Sequence, residues 1–547
     1  MLKIVKTVLI LFTLLFIYPT TNLNAKDISS CNKCHTVEKI DNIHKLTCIE
    51  CHVLEENRNN IYSHKQIIKN PSELKYAKKL CIKCHKKDIE RLTNSMHYTL
   101  SSVINITRFA WDKQKNLLPT FAAIETSSLK QIPDPATIKQ PSDLVDILLR
   151  RKCARCHINS SEFQTTGTYR LSGCAACHAE YSKNGHYLGS DRVLYGKKVY
   201  SKTHRLFKHP KMSSCLSCHN NEFVGTDYIG LFPQDYHKDF RSPIMPNGYF
   251  KPRIYGIGQH ALQSDIHFRS GMTCVDCHKK EGVMGDFKQH TFENEAVKVS
   301  CESCHGGYKS NPKLLTKEGL FITTKGKKLK PKLFDKNLYA HKYHQRVKCS
   351  ACHSLWQSEH FGMNLYFDKS KLHYDMFKKL ITQEDPYVEM FLKRALKNPS
   401  TPPKSYDYLD KTLKKGIWYQ GWIARRWMPF ILIVDNNGKY SVAREIFNYK
   451  LTYVNENGTV VFDNKSTASI VMGYSPHTIG IYGKSCEACH NNKLQLNPDF
   501  YKGTVVEEFF KGMVINGRKL TKKELEKLTS PLYKKERSKI LIKNLFQ

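Results

Sequence analysis

Cysteine spacing constrains this chain more than any other feature of its sequence. All 20 cysteines fall in copies of one pattern, Cys-x-x-Cys-His, and none is left over. We number the ten copies motif 1 to motif 10 in chain order: CNKCH from Cys31, CIECH from Cys48, CIKCH from Cys81, CARCH from Cys153, CAACH from Cys174, CLSCH from Cys215, CVDCH from Cys274, CESCH from Cys301, CSACH from Cys349 and CEACH from Cys486. Any fold of this chain must therefore present ten similar thiol pairs, each followed by a histidine.

This pattern is the attachment signal for c-type haem. Two intervening residues place both sulfurs on one side of a short helical turn, where they can add to the two vinyl groups of a porphyrin. The histidine that follows points at the iron as its proximal ligand. The predicted thioether cysteines are Cys31, Cys34, Cys48, Cys51, Cys81, Cys84, Cys153, Cys156, Cys174, Cys177, Cys215, Cys218, Cys274, Cys277, Cys301, Cys304, Cys349, Cys352, Cys486 and Cys489. The predicted proximal ligands are His35, His52, His85, His157, His178, His219, His278, His305, His353 and His490.

Zinc binding and disulfide exchange are the competing interpretations of a CxxC pair. Structural zinc sites combine two such pairs at set spacings and do not require a histidine directly after each one. A redox disulfide is a single reactive motif, and ten copies would serve no purpose. The sequence therefore predicts ten covalently bound haem c groups.

An electron-carrying haem usually has a second axial ligand, often another histidine. The chain has 25 histidines, so fifteen remain after the proximal ligands are assigned. That surplus predicts two histidines at each iron, although Met ligation at one or two haems stays open. The ten distal ligands that we predict are His44, His64, His97, His186, His209, His267, His290, His344, His360 and His477, and the spare histidines are His204, His237, His260, His341 and His373.

Two of these choices are not decided by the sequence. His341 and His344 compete for one position, as do His204 and His209. His209, His267 and His477 lie six to nine residues before a motif cysteine. A histidine this close cannot easily reach the far face of the haem in its own motif, so we expect each to ligate a neighbouring haem.

The first 25 residues have the pattern of a secretory signal peptide. Lys3 and Lys6 precede an apolar segment, residues 8–18, and Ala25 is a plausible cleavage point. The apolar segment is shorter than the roughly 20 residues of a membrane-spanning helix. We therefore expect export to the periplasm, the cell surface or the extracellular space.

The remaining chain is strongly basic, because removal of the leader lowers the formal charge only from +37 to +35. This charge favours acidic redox partners or anionic lipid, or it is simply the solvated surface of a lysine-rich protein. Nucleic acid is not expected, since no nucleic-acid-binding motif is present. The expected partners are redox proteins: other cytochromes, a quinol-linked donor or a terminal reductase. The sequence leaves the oligomeric state open.

The motifs are unevenly distributed and suggest the domain organisation. We predict a signal peptide (1–25), a trihaem module (26–118), a linker and helix (119–152), a hexahaem module (153–353), a haem-free insert (354–485) and a tenth haem with a basic helical tail (486–547). Frequent haem attachment predicts a mostly α fold with much irregular chain wrapped around haems. Asn436-Asn437-Gly438 and Asn457-Gly458 follow or interrupt β-branched runs, and they predict a small β-hairpin element near 418–462.

The ten motifs resemble those of multihaem c-type cytochromes, over the chain from Cys31 to His490. The segments DIHFRSGMTCVDCH (265–278) and SPHTIGIYGKSCEACH (475–490) are similar to segments of large cytochromes in bacteria that respire metals, sulfur compounds or nitrogen compounds. This resemblance implies electron transfer through a series of haems in anaerobic or extracellular respiration. The alternative is a reductase of nitrite, hydroxylamine, tetrathionate or sulfite with one open iron. No motif carries lysine in place of its histidine, a mark of some such enzymes, so the electron carrier is favoured and catalytic residues stay unassigned.

Overall fold

A computed structural model describes residues 29–58, 64–160, 167–220, 225–233, 259–357, 359–370, 403–427, 431–446, 449–490, 513–531, 535, 538 and 539. The predicted signal peptide, His237 and His373 lie outside these residues. Within the described ranges, every helix falls short of the length and apolarity that a membrane span requires.

The helices are short, and most belong to or flank a motif. They are α1 (Ser29–Asn32), α2 (Cys48–His52), α3 (Leu74–Leu80), α4 (Ile82–Thr93), α5 (Met96–Thr99), α6 (Ser101–Ala110), α7 (Leu144–Arg151), α8 (Ala175–His178), α9 (Met212–Leu216), α10 (Ile266–Arg269), α11 (Cys274–Cys277), α12 (Lys280–Met284), α13 (Glu293–Ala296), α14 (Cys301–His305), α15 (Tyr339–Lys342), α16 (Cys349–His353), α17 (Cys486–His490) and α18 (Lys522–Thr529). Single 3₁₀ turns occur at Glu55–Asn57, His64–Gln66, Pro141–Asp143 and Cys153–Cys156.

The strands of the described residues form five two-stranded pairs and, in the second half of the chain, two larger sheets. They are β1 (Phe121–Ala122), β2 (Lys130–Gln131), β3 (Ala179–Tyr181), β4 (Ser201–Leu206), β5 (Leu231–Pro233), β6 (Gln259–Ala261), β7 (Phe321–Ile322), β8 (Lys328–Leu329), β9 (Glu359–Asp368), β10 (Lys404–Asp407), β11 (Thr412–Lys415), β12 (Ile417–Arg426), β13 (Ile431–Asp435), β14 (Tyr440–Ile446), β15 (Tyr449–Val454), β16 (Val460–Ser466), β17 (Ile470–Gly473), β18 (Met513–Ile515) and β19 (Gly517–Arg518).

The prediction of a mostly α fold is wrong. About 30% of the structure is helical and about 20% is strand. One sheet has the order β12-β9-β15-β16, and the other has the order β18-β17-β14-β13-β19. The five-stranded sheet is nearly closed like a barrel, because its edge strands β18 and β19 are joined by the single residue Asn516.

The β region is also larger than the predicted element near 418–462. The two expected hairpins are present: β13 pairs with β14 around Gly438, and β15 pairs with β16 around Gly458. Each hairpin is part of a wider sheet, since β9 pairs in parallel with β15 and antiparallel with β12. The missing strands were not predicted because their partners are distant in sequence, and pairing with those partners provides their hydrogen bonds.

The two motif-poor regions pack together in one hydrophobic core. Apolar side chains of α6 and α7 share this core with β9, β12, β15 and β17. Trp418 and Phe367 are almost fully buried, and their rings lie 4.7 Å apart. The boundaries of the predicted modules remain predictions, but this core joins side chains from both sides of the motif-rich segment 153–353.

A buried ion pair strengthens the same junction. The Nε of Arg150, at the end of α7, donates to Asp407 Oδ2 at 2.7 Å, and its Nη1 donates to the Ile132 carbonyl at 2.9 Å. The Arg150 side chain is 3% exposed and the Asp407 side chain is 0% exposed. Burial alone would raise the pKa of Asp407, but the hydrogen bond and charge of Arg150 lower it below its usual value. Lys414 Nζ also lies 3.2 Å from Asp407, and Arg150 also pairs with Asp410, so loss of either member would leave a buried charge with weaker compensation.

Candidate metal centres

Capping interactions form the short helical turns on which several motifs lie. Thr47 caps α2: its hydroxyl oxygen accepts from the Glu50 amide, and its own backbone amide donates to the Glu50 carboxylate at 2.7 Å. Thr273 and Asp276 form the equivalent capping box at α11. In both motifs the residue before the second cysteine completes the box, so the local sequence fixes the start of the helix at the first cysteine.

Backbone hydrogen bonds within these turns position the motif histidine relative to the two cysteines. The histidine amide donates to the carbonyl of the first cysteine at 2.8–3.0 Å in the motifs that end at His35, His85, His178, His219 and His278. This bond spans one helical turn, so both thiols and the imidazole lie on the same short segment. The arrangement is the one that the sequence predicts for attachment of a group to two sulfurs and one ring nitrogen.

Seven motif histidines face a second histidine across a nearly constant gap. The ring centres are 6.0–6.3 Å apart in the pairs His35–His64, His85–His44, His52–His204, His219–His97, His278–His477, His305–His267 and His490–His344. Each of these pairs joins one motif histidine to one histidine outside the motifs. Random packing of aromatic rings also produces separations in this range. It would not, however, pair a motif histidine with a histidine outside the motifs in all seven cases.

The gap fits one metal ion bound between two imidazoles. A metal–imidazole bond of about 2 Å and about 1 Å from the nitrogen to the ring centre, on each side, give roughly 6 Å between ring centres. Imidazole is a good ligand for iron. The residues of these seven sites therefore fit an iron with two histidine ligands, and the adjacent cysteine pair fits its porphyrin.

Hydrogen bonds at Nδ1 leave Nε2 available in several motif histidines and in several of the histidines that face a motif. The carbonyls of Ile68, Phe207, Lys332 and Leu528 accept from Nδ1 of His52, His178, His305 and His490 at 2.6–2.7 Å. Among the opposing histidines, Nδ1 is bonded to Asp41 in His44, to Val283 in His97, to Asp265 in His267 and to Ala340 in His344. A second bond of this kind fixes the tautomer and orientation of a metal-ligating histidine.

Burial favours the neutral imidazole at several of these positions. It lowers the pKa of His278 to about 4, with a smaller effect from the charge of His477. It also lowers the pKa of His52 and of His97. The neutral ring is the form that binds a metal, so these sites are ready to ligate at neutral pH.

The structure brings six of the ten predicted distal histidines to a motif histidine, namely His44, His64, His97, His267, His344 and His477. His267 and His477 each face the histidine of another motif, as expected from their spacing. His204, from the undecided choice with His209, faces His52, whereas His209 is exposed.

Of the other four predicted distal histidines, His186, His209 and His290 face no motif histidine in the described part of the chain. His290 Nε2 is bonded to Asp286 at 2.9 Å, and His186 forms an isolated β-bridge with Lys198. The His360 side chain lies outside the described residues. Their ligation remains a prediction.

His341 was a spare in the sequence prediction, but the structure places it beside motif 9. Its ring stacks on Phe334 with centres 4.4 Å apart, and its Nδ1 is 2.6 Å from the Asp335 carbonyl. Its charge lowers the pKa of His353, after the larger effect of burial. His341 and His344 therefore do not compete: one short segment turns one ring toward motif 9 and the other toward motif 10.

The motifs form a series in space. Thiols of successive motifs lie close enough to shift each other's pKa in the pairs Cys31–Cys48, Cys215–Cys274 and Cys301–Cys349. Thiols interact electrostatically in the pairs Cys51–Cys81, Cys81–Cys174, Cys177–Cys218, Cys277–Cys304 and Cys352–Cys486. The resulting order is 1–2–3–5–6–7–8–9–10. Motif 4 joins this series from the side, because Cys156 Sγ donates to the Cys218 carbonyl of motif 6 at 3.9 Å.

Comparison with known proteins adds no relative: no protein-family model, curated protein or solved structure matches this chain.

Proposed function

We propose that this chain is a decahaem c-type cytochrome that conducts electrons through a series of mostly bis-histidine haems. The observation that carries the proposal is the set of seven histidine pairs, each with one motif histidine and a gap that fits one iron. A conduit needs closely spaced redox groups whose ligands do not change during turnover. Two fixed histidines on each iron meet that need.

The order of the motifs supports conduction along the length of the chain. Motifs 1 and 10 are the two ends of the series. Every motif between them, apart from motif 4, lies next to the preceding motif and the following motif of the series. Haem, when bound, supplies the one-electron chemistry. The chain itself holds several of these imidazoles by a hydrogen bond at Nδ1. Burial lowers the pKa of His52, His97 and His278 and so favours their neutral form.

The partners and the location belong to the same proposal. The basic surface suits acidic redox proteins or anionic lipid, and the leader-like start of the sequence suits export to the periplasm or beyond. The role that follows is electron transfer in anaerobic or extracellular respiration.

The first test is electron paramagnetic resonance on the oxidised holoprotein, quantified against total haem and combined with the mass of the intact chain. We expect ten covalent haems, of which at least nine give low-spin signals. A mass without added haem, or a large high-spin fraction, would refute the proposal.

A second test uses the spatial order. The protein is anchored on an electrode through a tag before Ser29, and the charge passed in voltammetry counts the haems in electrical contact. Replacement of Cys215 and Cys218 by Ser removes the motif 6 haem, and only the four haems of motifs 1, 2, 3 and 5 should then respond out of nine.

Motif 4 provides the matched control for that test. Replacement of Cys153 and Cys156 by Ser should leave all nine remaining haems in contact, because motif 4 lies beside the series. If both variants respond alike, the proposed order of the sites is wrong.

The second candidate function is reduction of a small nitrogen or sulfur oxyanion at one iron with an exchangeable ligand. One observation favours it: in motif 4 the Nε2 of His157 contacts the Tyr98 carbonyl, and no histidine of the described residues faces this ring.

A further inference from the structure

One segment of the chain concentrates positive charge far beyond the average of the sequence. Over the whole chain, lysine and arginine number 86 and the acidic residues number 49. Residues 309–336, which we call the lysine segment, contain nine lysines and only two acidic residues, Glu318 and Asp335, so their formal charge is +7. All nine lysine side chains are exposed, and none forms an ion pair with a residue that the structure describes: Lys309, Lys313, Lys317, Lys325, Lys327, Lys328, Lys330, Lys332 and Lys336.

Backbone hydrogen bonds fix the lysine segment on motif 8. Near its start, the amides of Lys313 and Leu314 both donate to the Ser303 carbonyl at 2.9 Å. Near its end, the Lys332 carbonyl accepts from Nδ1 of His305 at 2.6 Å. The residues between these two attachments therefore form a loop that begins and ends on one motif, and the same loop orients the histidine of that motif.

The lysine segment also contacts the motifs on both sides of motif 8. It contains the hairpin of β7 and β8, and in the turn of this hairpin the Thr324 amide donates to the Asp276 carboxylate of motif 7 at 2.6 Å. The Asp335 carbonyl accepts at 2.6 Å from Nδ1 of His341, the histidine beside motif 9. Oxidised haems at these three motifs would add only about −3 to the charge, which stays positive. The lysines are therefore held at the interior of the series and not at one of its ends.

This position favours a redox protein over a lipid surface as the occupant. A concentrated positive charge attracts a negatively charged partner and speeds its association. Transient encounters between redox proteins bury small interfaces, for which an exposed segment of this size is sufficient. An electron then crosses only the short distance to motif 8, whose Cys301 is itself exposed. A lipid headgroup exchanges no electrons, so attachment of the lysines to three motifs would have no use at a membrane.

We propose that the lysine segment is the docking surface for an acidic redox protein, which exchanges electrons with the series at motif 8. This inference rests on the proposed function and adds to it the charge of the partner and the point of electron entry. In each exchange one electron leaves the reduced partner and one ferric haem becomes ferrous, so no further reactant is needed. Electrons that enter at motif 8 can leave toward either end of the series.

The test is the reduction of the oxidised holoprotein by a reduced plant-type ferredoxin, a small acidic one-electron donor, in a stopped-flow spectrometer. The variant carries Lys325→Glu, Lys328→Glu and Lys330→Glu, which reverse three exposed charges of the lysine segment. We expect the second-order rate constant to fall about tenfold or more at low ionic strength, because steering of the donor is lost. In about 1 M salt the variant and the wild type should react alike, since charges are screened beyond about 3 Å.

The matched control makes the same change at one end of the series. It carries Lys522→Glu, Lys523→Glu and Lys527→Glu, which replace three exposed residues of α18. The Leu528 carbonyl of this helix accepts from Nδ1 of His490 in motif 10. Both variants lose the same net charge beside a motif, so a difference between them reports the place of docking. The control should keep the wild-type rate constant to within about twofold.

A second measurement does not depend on haem reduction. A carbodiimide joins carboxylates of oxidised ferredoxin to lysines of the oxidised holoprotein, and mass spectrometry locates the joined lysines. We expect most of these cross-links in the lysine segment.

Three results would overturn the inference. If the cross-links lie mainly in α18, or if the two variants react alike at low ionic strength, docking at motif 8 is wrong while the conduit stands. If the lysine-segment variant reacts with ferredoxin as the wild type does but loses binding to vesicles that contain phosphatidylglycerol, the segment binds lipid. A chain that carries no haem would refute the proposed function and this inference with it.

Discussion

His204 and His209 provide a sharp test of the histidine pairs, because the sequence could not choose between them. The structure places the His204 ring 6.2 Å from the His52 ring, while Nδ1 of His52 is fixed by the Ile68 carbonyl at 2.7 Å. His204→Gly should therefore remove one axial ligand from one iron and leave the other in place. The expected change is a gain in high-spin signal equal to one-tenth of the total iron, since one of ten motifs is affected.

The control and the rescue make this prediction specific. His209→Gly changes an exposed residue and should leave the spin state as in the wild type. Imidazole added to His204→Gly should fill the vacated position and restore the low-spin signal, because the glycine leaves space for the ring. If His209→Gly gains the high-spin signal and His204→Gly does not, the reasoning from ring separation is wrong.

Three further predictions concern other parts of the molecule. His341→Ala should convert one iron, that of His353, to high-spin, and a wild-type spectrum would show that another residue is its ligand. Arg150→Met should lower the free energy of unfolding by about 3 kcal/mol, the low end of the range for a broken buried pair, because Lys414 still lies 3.2 Å from the buried Asp407 carboxylate. The double variant with Asp407→Asn should recover much of this in denaturant unfolding, and no recovery would contradict the buried-charge argument. Glu38→Gln should make the free energy of unfolding less dependent on pH in acid. Burial alone would raise the pKa of Glu38, but hydrogen bonds from the backbone of His204 and from Ser190 outweigh it and lower this pKa to about 2. The carboxylate therefore stabilises the fold above about pH 4.5, and this contribution is lost as the pH falls toward 2. Acid titrations of stability that coincide for Glu38→Gln and the wild type would count against it.

The choice of distal histidines shows where prediction from sequence stops. His267 and His477 could be assigned to neighbouring motifs, because their spacing excludes their own. His204 could not be preferred over His209, because its position depends on strand β4 and on the Glu38 carboxylate, which accepts a hydrogen bond from its amide at 2.9 Å. Glu38 is distant in sequence, and no local pattern reports such a contact.

The sheets illustrate the same limit at a larger scale. The turns at Gly438 and Gly458 were recognisable because two strands of a hairpin are adjacent in sequence and glycine supplies the positive φ. Strand β9 was missed, since its partners β12 and β15 lie far along the chain. From the number of motifs we predicted a fold dominated by haem contacts. That prediction missed the hydrophobic core that the two motif-poor regions form together.

The histidine pairs also have a consequence for biogenesis. His278 and His477 belong to the same pair but lie about 200 residues apart in the chain. If the chain is exported and carries haem as proposed, motif 7 can receive its haem soon after it emerges, but its iron would lack His477 until most of the remaining chain has followed. Such an intermediate would hold an iron with one protein ligand, open to other ligands such as His290 or a free amine. Under the proposed function, correct ligation at motif 7 would therefore depend on how fast the C-terminal part of the chain arrives.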